Sequence, residues 1–321
     1  KEARRIKKPV LYIVIPCYNE QEVLPITSGM FLQKLRDLAA AGKVSEESRE
    51  LFVNDGSKDD TWRIIRQLAE QDEHFLGVSL SRNRGHQNAL LGGLMTAKDR
   101  CDVTISIDCD GQDDINAMDA MVDAYLDGCE VVYGVRSKRD TDTFFKRFTA
   151  EGFYHLMNWL GAQIVFNHAD YRLMSSKAIN ALEKYGERNL FLRGIIPSMG
   201  FSYTTIEYDE KPRLAGESKY SLRKMIQLAA TGITSFSVRP LHFIFFCGMF
   251  FFLISIVMLI YALVVFFHNG SIPGWTSTVA PIWLLGGIQL LALGVVGEYI
   301  GKIYMEAKHR PRYEIDKVIW K

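Results

Sequence analysis

The chain has 321 residues, a length that fits one large domain with an appendage or two small domains. Lys and Arg number 38 against 37 Asp and Glu, a formal charge of +1, so no global basic field argues for a nucleic-acid partner. The five cysteines, at positions 17, 101, 109, 129 and 247, lack metal-ligand spacing and are odd in number, which fits free thiols in a reducing compartment.

The first segment, Lys1–Pro9, is basic and lacks the apolar core of a secretory signal, so the bulk of the chain is expected in the cytoplasm. Strands are then expected at Val10–Ile15, Glu50–Val53, Leu76–Leu80, Val103–Asp108, Glu130–Val135 and Tyr203–Tyr208. Between them, Thr61, Ile64, Ile65 and Leu68 share one helical face, and Ala89, Leu90, Gly93 and Leu94 another. Alternation of this kind predicts an α/β domain with a mostly parallel sheet, and in such sheets ligands collect at the carboxyl ends of the strands.

Polar clusters follow these strands one after another. Pro16-Cys17-Tyr18-Asn19-Glu20 comes first. Pro16 is expected to stop the strand, Tyr18 can stack on a base, and Glu20 can accept from a base or cap a helix. In Asn54-Asp55-Gly56-Ser57, Asp55 either accepts from a uracil ring or a ribose or is an ordinary turn aspartate before glycine. In Ser81-Arg82-Asn83-Arg84-Gly85-His86, Arg82 and Arg84 beside a helix start favour a diphosphate, or else form a solvated basic turn. Asp108-Cys109-Asp110 ends the fourth strand, and two carboxylates at i and i+2 can reach one divalent cation. Hard oxygen ligands suit Mg2+ or Mn2+, which would neutralise a diphosphate leaving group. The run continues as Gly111-Gln112-Asp113-Asp114, where Asp113 or Asp114 is expected to cap the next helix.

Beyond residue 240 the composition changes. His242, His268 and Glu298 are the only acidic or basic side chains in 241–300. Leu241–Phe267 and Thr278–Ile300 are each long enough to span a bilayer, joined by a short loop, His268–Ser277, without Lys or Arg. Lys and Arg crowd the outer flanks, at Arg223, Lys224 and Arg239 and again at Lys302, Lys308, Arg310 and Arg312, which places both flanks in the cytoplasm. Ser221–Phe236 reads as an interfacial amphipathic helix, and Thr143–Leu160 as either an interfacial or a core-facing one. Gly286-Gly287, Gly294 and Gly297 permit close helix packing within one chain or in a homo-oligomer.

In this order, the four strand-end motifs closely resemble the successive motifs of family 2 glycosyltransferases with the GT-A fold. Asp170-Tyr171-Arg172-Leu173 resembles a later motif of the same family, and Arg213-Leu214-Ala215-Gly216-Glu217-Ser218-Lys219-Tyr220 the Arg-x-x-Gly-x-Ser-Lys-Tyr element of its polyisoprenyl-phosphate glycosyltransferases. Gly232–Pro240 and Gly297–Tyr304 extend the likeness over essentially the whole chain. The catalytic part is similar to dolichyl-phosphate mannose synthases, and the two-span tail to bacterial enzymes that glycosylate undecaprenyl phosphate.

This resemblance implies a membrane enzyme that transfers a hexose from a nucleotide diphosphate onto a polyisoprenyl phosphate, with Mg2+ or Mn2+. UDP-glucose is the expected donor, and GDP-mannose or a UDP-amino sugar the alternatives. By the resemblance, Pro16, Tyr18, Glu20, Asp55 and Arg82 would hold the nucleotide, and Asp108 would face nucleotide and sugar. Asp110 would bind the metal with Gln112 assisting, Asp170 and Arg172 would line the sugar and acceptor phosphate, and Arg213, Ser218 and Lys219 would engage that phosphate. Asp170 is the family's natural base candidate, although a role in positioning sugar hydroxyls or Arg172 fits it better. Gly111 stands where relatives often have leucine, which is expected to loosen the loop.

The expected organisation is a catalytic domain at 1–215, an interfacial region at 216–240, two transmembrane helices at 241–300 and a cytoplasmic tail at 301–321. A processive synthase is disfavoured because two spans are too few to enclose a pore and no Gln-x-x-Arg-Trp-type motif is present. The intact Asp-x-Asp and basic acceptor motif argue against a non-catalytic scaffold.

Overall fold

The computed structural model describes residues 8–137, 168–188, 191–211 and 275–320, with 241, 244–246, 248–250, 253, 254, 257 and 260. The expected interfacial stretches, most of the first apolar segment, and Arg213, Ser218 and Lys219 lie outside these residues. The chain divides into two compact units: one comprises 1–154, 163–222 and 310–321, the other 155–162 and 223–309.

The first unit is built on an eight-stranded sheet in the order β7-β5-β6-β4-β1-β2-β3-β8. Strands β1 (Leu11–Cys17), β2 (Arg49–Asn54), β3 (Phe75–Leu80) and β4 (Val103–Ser106) pair in parallel. Helices α1 (Leu24–Ala40), α2 (Thr61–Gln71) and α3 (His86–Ala97) form the crossovers, and α4 (Ala117–Leu126) leads on to β5 (Val131–Arg136). Leu11, Ile13 and Ile15 of β1 bury against Phe31, Leu35 and Leu38 of α1 and Met118, Met121 and Val122 of α4, while α3 packs on β1 and β2. A strand covered on both faces needs an apolar run rather than alternation, which is why Leu11–Cys17 contains no exposed residue. The expected α2 face holds: Thr61 and Ile65 are buried and Ile64 and Leu68 pack against the core.

Three expectations change. Pro16 does not stop β1 but lies within it, opposite Val53. The ladder to β4 has already ended at Val14, so a residue without an N–H is tolerated there. β4 ends at Ser106, which leaves Asp108 in the following loop, although Ile107 N still donates to Val14 O at 3.2 Å. Two strands were not foreseen. β6 (His168–Ser175) runs antiparallel between β4 and β5, and β8 (Ile315–Ile319) antiparallel along β3. The remaining elements are α5 (Ser176–Glu183), α6 (Leu192–Ser198), β7 (Tyr203–Tyr208), parallel to β5, and α7 (Trp275–Ala307) in the second unit.

The tail after α7 is thus part of the sheet unit. Glu314 O accepts from Ser81 N at 3.0 Å, and Arg100 lies over the Trp320 ring at 4.1 Å. Among the described residues α7 is the one helix long and apolar enough to cross a membrane, over Ile288–Ala307. Ile282, Leu290, Leu293, Ile300 and Ile303 stand exposed on it. The four described cysteines, Cys17, Cys101, Cys109 and Cys129, are free thiols.

Candidate active site

Because β1, β2, β3 and β4 point the same way, their carboxyl ends share one rim. The antiparallel β6 brings its first residues to that rim: Arg172 pairs with Ser106, and Ser106 Oγ donates to Asp170 O at 2.8 Å. The sheet order therefore brings the motif at 170–173 beside Asp108.

The loops on the rim are stitched together. Asn19, in a left-handed conformation with φ of 52°, donates from its N to Ser57 Oγ, and its side chain accepts from Lys58 N. Glu20 N donates to Thr61 Oγ1 at 2.9 Å, which fixes the loop carrying Tyr18 and Glu20 on the start of α2. Asp55 is 2% exposed, and its two oxygens accept from Arg84 N at 2.7 Å and Gly85 N at 3.0 Å. Burial pushes its carboxyl up, and those two N–H groups hold it back. Asp55 thus braces the loop of Arg82 and Arg84 directly. Gly56 makes the same junction possible: at φ of +61°, a Cβ there would lie 2.5 Å from the backbone of Arg82 and of Asn83. Arg82 itself is exposed, and Arg84 keeps a buried Nε without a hydrogen-bond partner.

The acidic loop is tightly held. Gln112 N donates to Asp110 Oδ1 at 3.0 Å, and Gly111 takes up φ of 71° between them. The turn is closed again by Lys211 N donating to Gln112 O at 2.8 Å, so the glycine shapes the loop rather than loosening it. Asp114 caps the turn that leads into α4, as expected, its Oδ1 accepting from Asn116 N at 3.3 Å and Asn116 Nδ2 at 3.2 Å, whereas Asp113 does not cap it. Asp113 instead accepts from Tyr208 Oη at 2.5 Å and Arg136 Nη2 at 3.3 Å, and Asp114 also accepts from Lys211 Nζ at 2.9 Å. These partners come from the ends of β5 and β7, remote in sequence, so local spacing gave no sign of them. Burial and then the neighbouring Asp108 push the Asp113 carboxyl up to about 6, against the pull of Tyr208 and Arg136, with Asp110 adding to the rise.

Asp170 centres a second cluster. Its carboxylate pairs with Arg172 Nη2, and Arg193 of α6 grips it through Nε at 3.3 Å and Nη2 at 3.0 Å. His86 Nε2 lies 3.6 Å from Asp170 Oδ2 and 3.5 Å from Asp108 Oδ1. Burial would raise the Asp170 carboxyl, but Arg193, Arg172 and His86 outweigh it and hold the group well below the usual carboxylate range. A carboxylate so firmly ionised is a poor general base and a good anchor. Arg172 is 1% exposed, with Nε and Nη1 buried and unpartnered. His86 and Arg193 were not singled out from the sequence. An arginine inside the apolar run Leu190–Ile196 was the available signal.

The rim fits a cation and an anion together. Burial chiefly, and then the charges of Asp108 and Asp110, raise the Asp113 carboxyl, and a divalent cation would relieve this crowding of negative charge. Among the described residues no three His, Cys, Asp or Glu side chains form a closed ligand set. A hard cation can take one or two carboxylates and complete its shell with phosphate oxygens and water. Arg82, exposed, and Arg84, half-buried, are of the kind that suits phosphate oxygens.

An acid-lined rim on a largely parallel sheet is the frame of a sugar-nucleotide transferase: the chain is a glycosyltransferase and belongs to glycosyl transferase family 2, whose model matches residues 12–182. It is 49% identical over 96% of its length to the uncharacterized glycosyltransferase YkoT of Bacillus subtilis (strain 168), of which it covers 92%. It is 40% identical over 94% of its length to the bactoprenol glucosyl transferase of Shigella phage SfV, of which it covers 97%. The crystal structure of mannosyl-3-phosphoglycerate synthase from Rubrobacter xylanophilus aligns with 70% of this chain and 71% of that one, at 14% identity and a TM-score of 0.47.

Proposed function

We propose that the protein transfers glucose from UDP-glucose to a polyisoprenyl phosphate at a membrane surface, with inversion at the anomeric carbon. The observation that carries this reading is the near-full-length likeness to a bactoprenol glucosyl transferase, bactoprenol being a polyisoprenol.

In this reading, Pro16, Tyr18, Glu20 and Arg82 hold the nucleotide, and Asp55 serves it by bracing the loop of Arg82 and Arg84. The acceptor phosphate, whose second pKa is about 6, is largely dianionic at neutral pH and needs little help from a base. One of its oxygens attacks C1 of the sugar from the face opposite the diphosphate. The C1–O bond to the diphosphate breaks, UDP leaves, and an α-linked donor gives a β-linked lipid phosphate. Asp108 orients the sugar. Asp170 takes no proton and holds Arg172 and Arg193 in place. A divalent cation held by Asp110 and Gln112 would neutralise the diphosphate as it departs. Two anions must be brought together, which accounts for the density of arginine and lysine.

Arg213, Ser218 and Lys219 bind the acceptor phosphate in this reading. They lie in sequence between the catalytic part and the first apolar segment, where a lipid phosphate must arrive. Two spans at 241–300 with Lys- and Arg-rich flanks put residues 1–240 on the cytoplasmic face. The test is Arg213→Ala and Lys219→Ala in detergent with a short-chain acceptor. A headgroup contact alone is worth about 1 kcal/mol of membrane affinity, and detergent removes it. A clamp that tightens in the transition state is lost mostly as turnover. Transfer should collapse while UDP binding stays near the parent value. Near-parent turnover in both variants would place the acceptor site elsewhere.

A further inference from the structure

His86 has no part in the chemistry above, yet it stands where the two acidic centres meet. Four segments converge there: the loop after β4 with Asp108, the start of α3 with His86, the start of β6 with Asp170, and the start of α6 with Arg193. Each side is fixed independently of the imidazole. Gln87 Oε1 accepts from Leu192 N at 3.0 Å, which ties the first turn of α3 to α6. Asp170 is held by Arg172 and Arg193, and its strand by Ser106.

Nε2 lies 3.5 Å from Asp108 Oδ1 and 3.6 Å from Asp170 Oδ2, beyond the 2.7–3.2 Å of an N–H···O hydrogen bond. Because it faces two acceptors, that nitrogen is the one assigned the ring hydrogen. It is a donor with two carboxylates near it and a full hydrogen bond to neither. The side chains are 35% exposed for His86, 37% for Asp108 and 13% for Asp170, so the cluster opens to solvent on the His86–Asp108 side. One hydroxyl complements it: the oxygen accepts from Nε2–H, and the hydroxyl hydrogen goes to a carboxylate.

We propose that His86 is a specificity-determining residue that, with Asp108 and Asp170, binds one hydroxyl of the donor sugar. This rests on the donor reading above and adds to it a named reader of the sugar. An ionised diphosphate would not satisfy the cluster, because it has no hydrogen to give the carboxylates and two fixed anions repel it; a ribose hydroxyl is separated from a sugar hydroxyl by the binding of UDP itself.

The experiment measures equilibrium binding of UDP and of UDP-sugars to the full chain with no lipid acceptor, so it does not depend on the acceptor assignment. A panel of nucleotide sugars first selects the donor for the parent chain. His86→Leu should then weaken that UDP-sugar roughly tenfold, the value of one hydrogen bond involving a charged partner, and leave UDP itself unchanged. His86→Gln, which keeps an N–H donor at similar reach, should recover most of the loss. In a series of singly deoxygenated donors, one member should bind the parent and His86→Leu equally, because its missing hydroxyl is the one His86 reads. Equal weakening of UDP and UDP-sugar, no weakening at all, or losses that add for every deoxy donor would each overturn the proposal. A parent chain that binds no nucleotide sugar would instead sink the donor reading itself, and this inference with it.

Discussion

Asp110→Asn is expected to abolish transfer, a loss on the order of a thousandfold or more, with the thermal transition within a few degrees of the parent. A divalent cation contributes several kcal/mol of charge stabilisation at a departing diphosphate, which corresponds to that factor in rate. The turn survives because asparagine keeps the Oδ1 acceptor that Gln112 N uses. The loop is also held from outside, by Lys211 on Gln112 and Asp114 and by Tyr208 and Arg136 on Asp113. Removing one negative charge beside Asp108 and Asp113 relieves repulsion rather than adding strain. Chelator should mimic the variant on the parent protein, and added Mn2+ or Mg2+ should reverse it. Undiminished transfer in excess chelator would remove Asp110 from this role.

Asp170→Asn should be the most destabilising polar substitution at the rim. Arg172 is 1% exposed, and Asp170 is its one carboxylate partner among the described residues. Taking away the partner leaves a buried guanidinium uncompensated, which costs about 3–5 kcal/mol. In a domain of this size that lowers the thermal transition by on the order of 10 °C. Arg172→Met is expected to cost clearly less, because Asp170 retains the two-point grip of Arg193 and the nearby His86. Both variants should lose transfer. Thermal unfolding of the pair decides: an Asp170→Asn protein as stable as Arg172→Met would mean that the buried guanidinium does not depend on this carboxylate.

Much of this was legible in the chain because it is written in local pattern. Apolar runs followed by Tyr18, Asp55, Arg82 and Asp108 mark parallel strands and their carboxyl ends without any tertiary information. What stayed hidden depends on chain reversal. β6 carries Asp170 and Arg172 to the rim by running antiparallel, and nothing in His168–Ser175 announces direction. Arg193 reaches Asp170 from 23 residues away, on a seven-residue helix. β8 is five residues long, exposed on most positions and beyond a long apolar helix, so it read as tail. Of the two candidate helix caps only Asp114 caps the turn into α4, because Asp113 is taken by Tyr208 and Arg136, which come from β7 and β5, remote in sequence.

Glucosyl transfer to a lipid phosphate is tested most directly with the purified full chain in mild detergent, supplied with UDP-[14C]glucose, Mn2+ and undecaprenyl phosphate. Label in the organic phase and released UDP are followed together. The expected product is a single labelled lipid, formed one for one with UDP and absent when undecaprenol replaces its phosphate. UDP release without lipid label, or label in a water-soluble polymer, would contradict the proposed reaction.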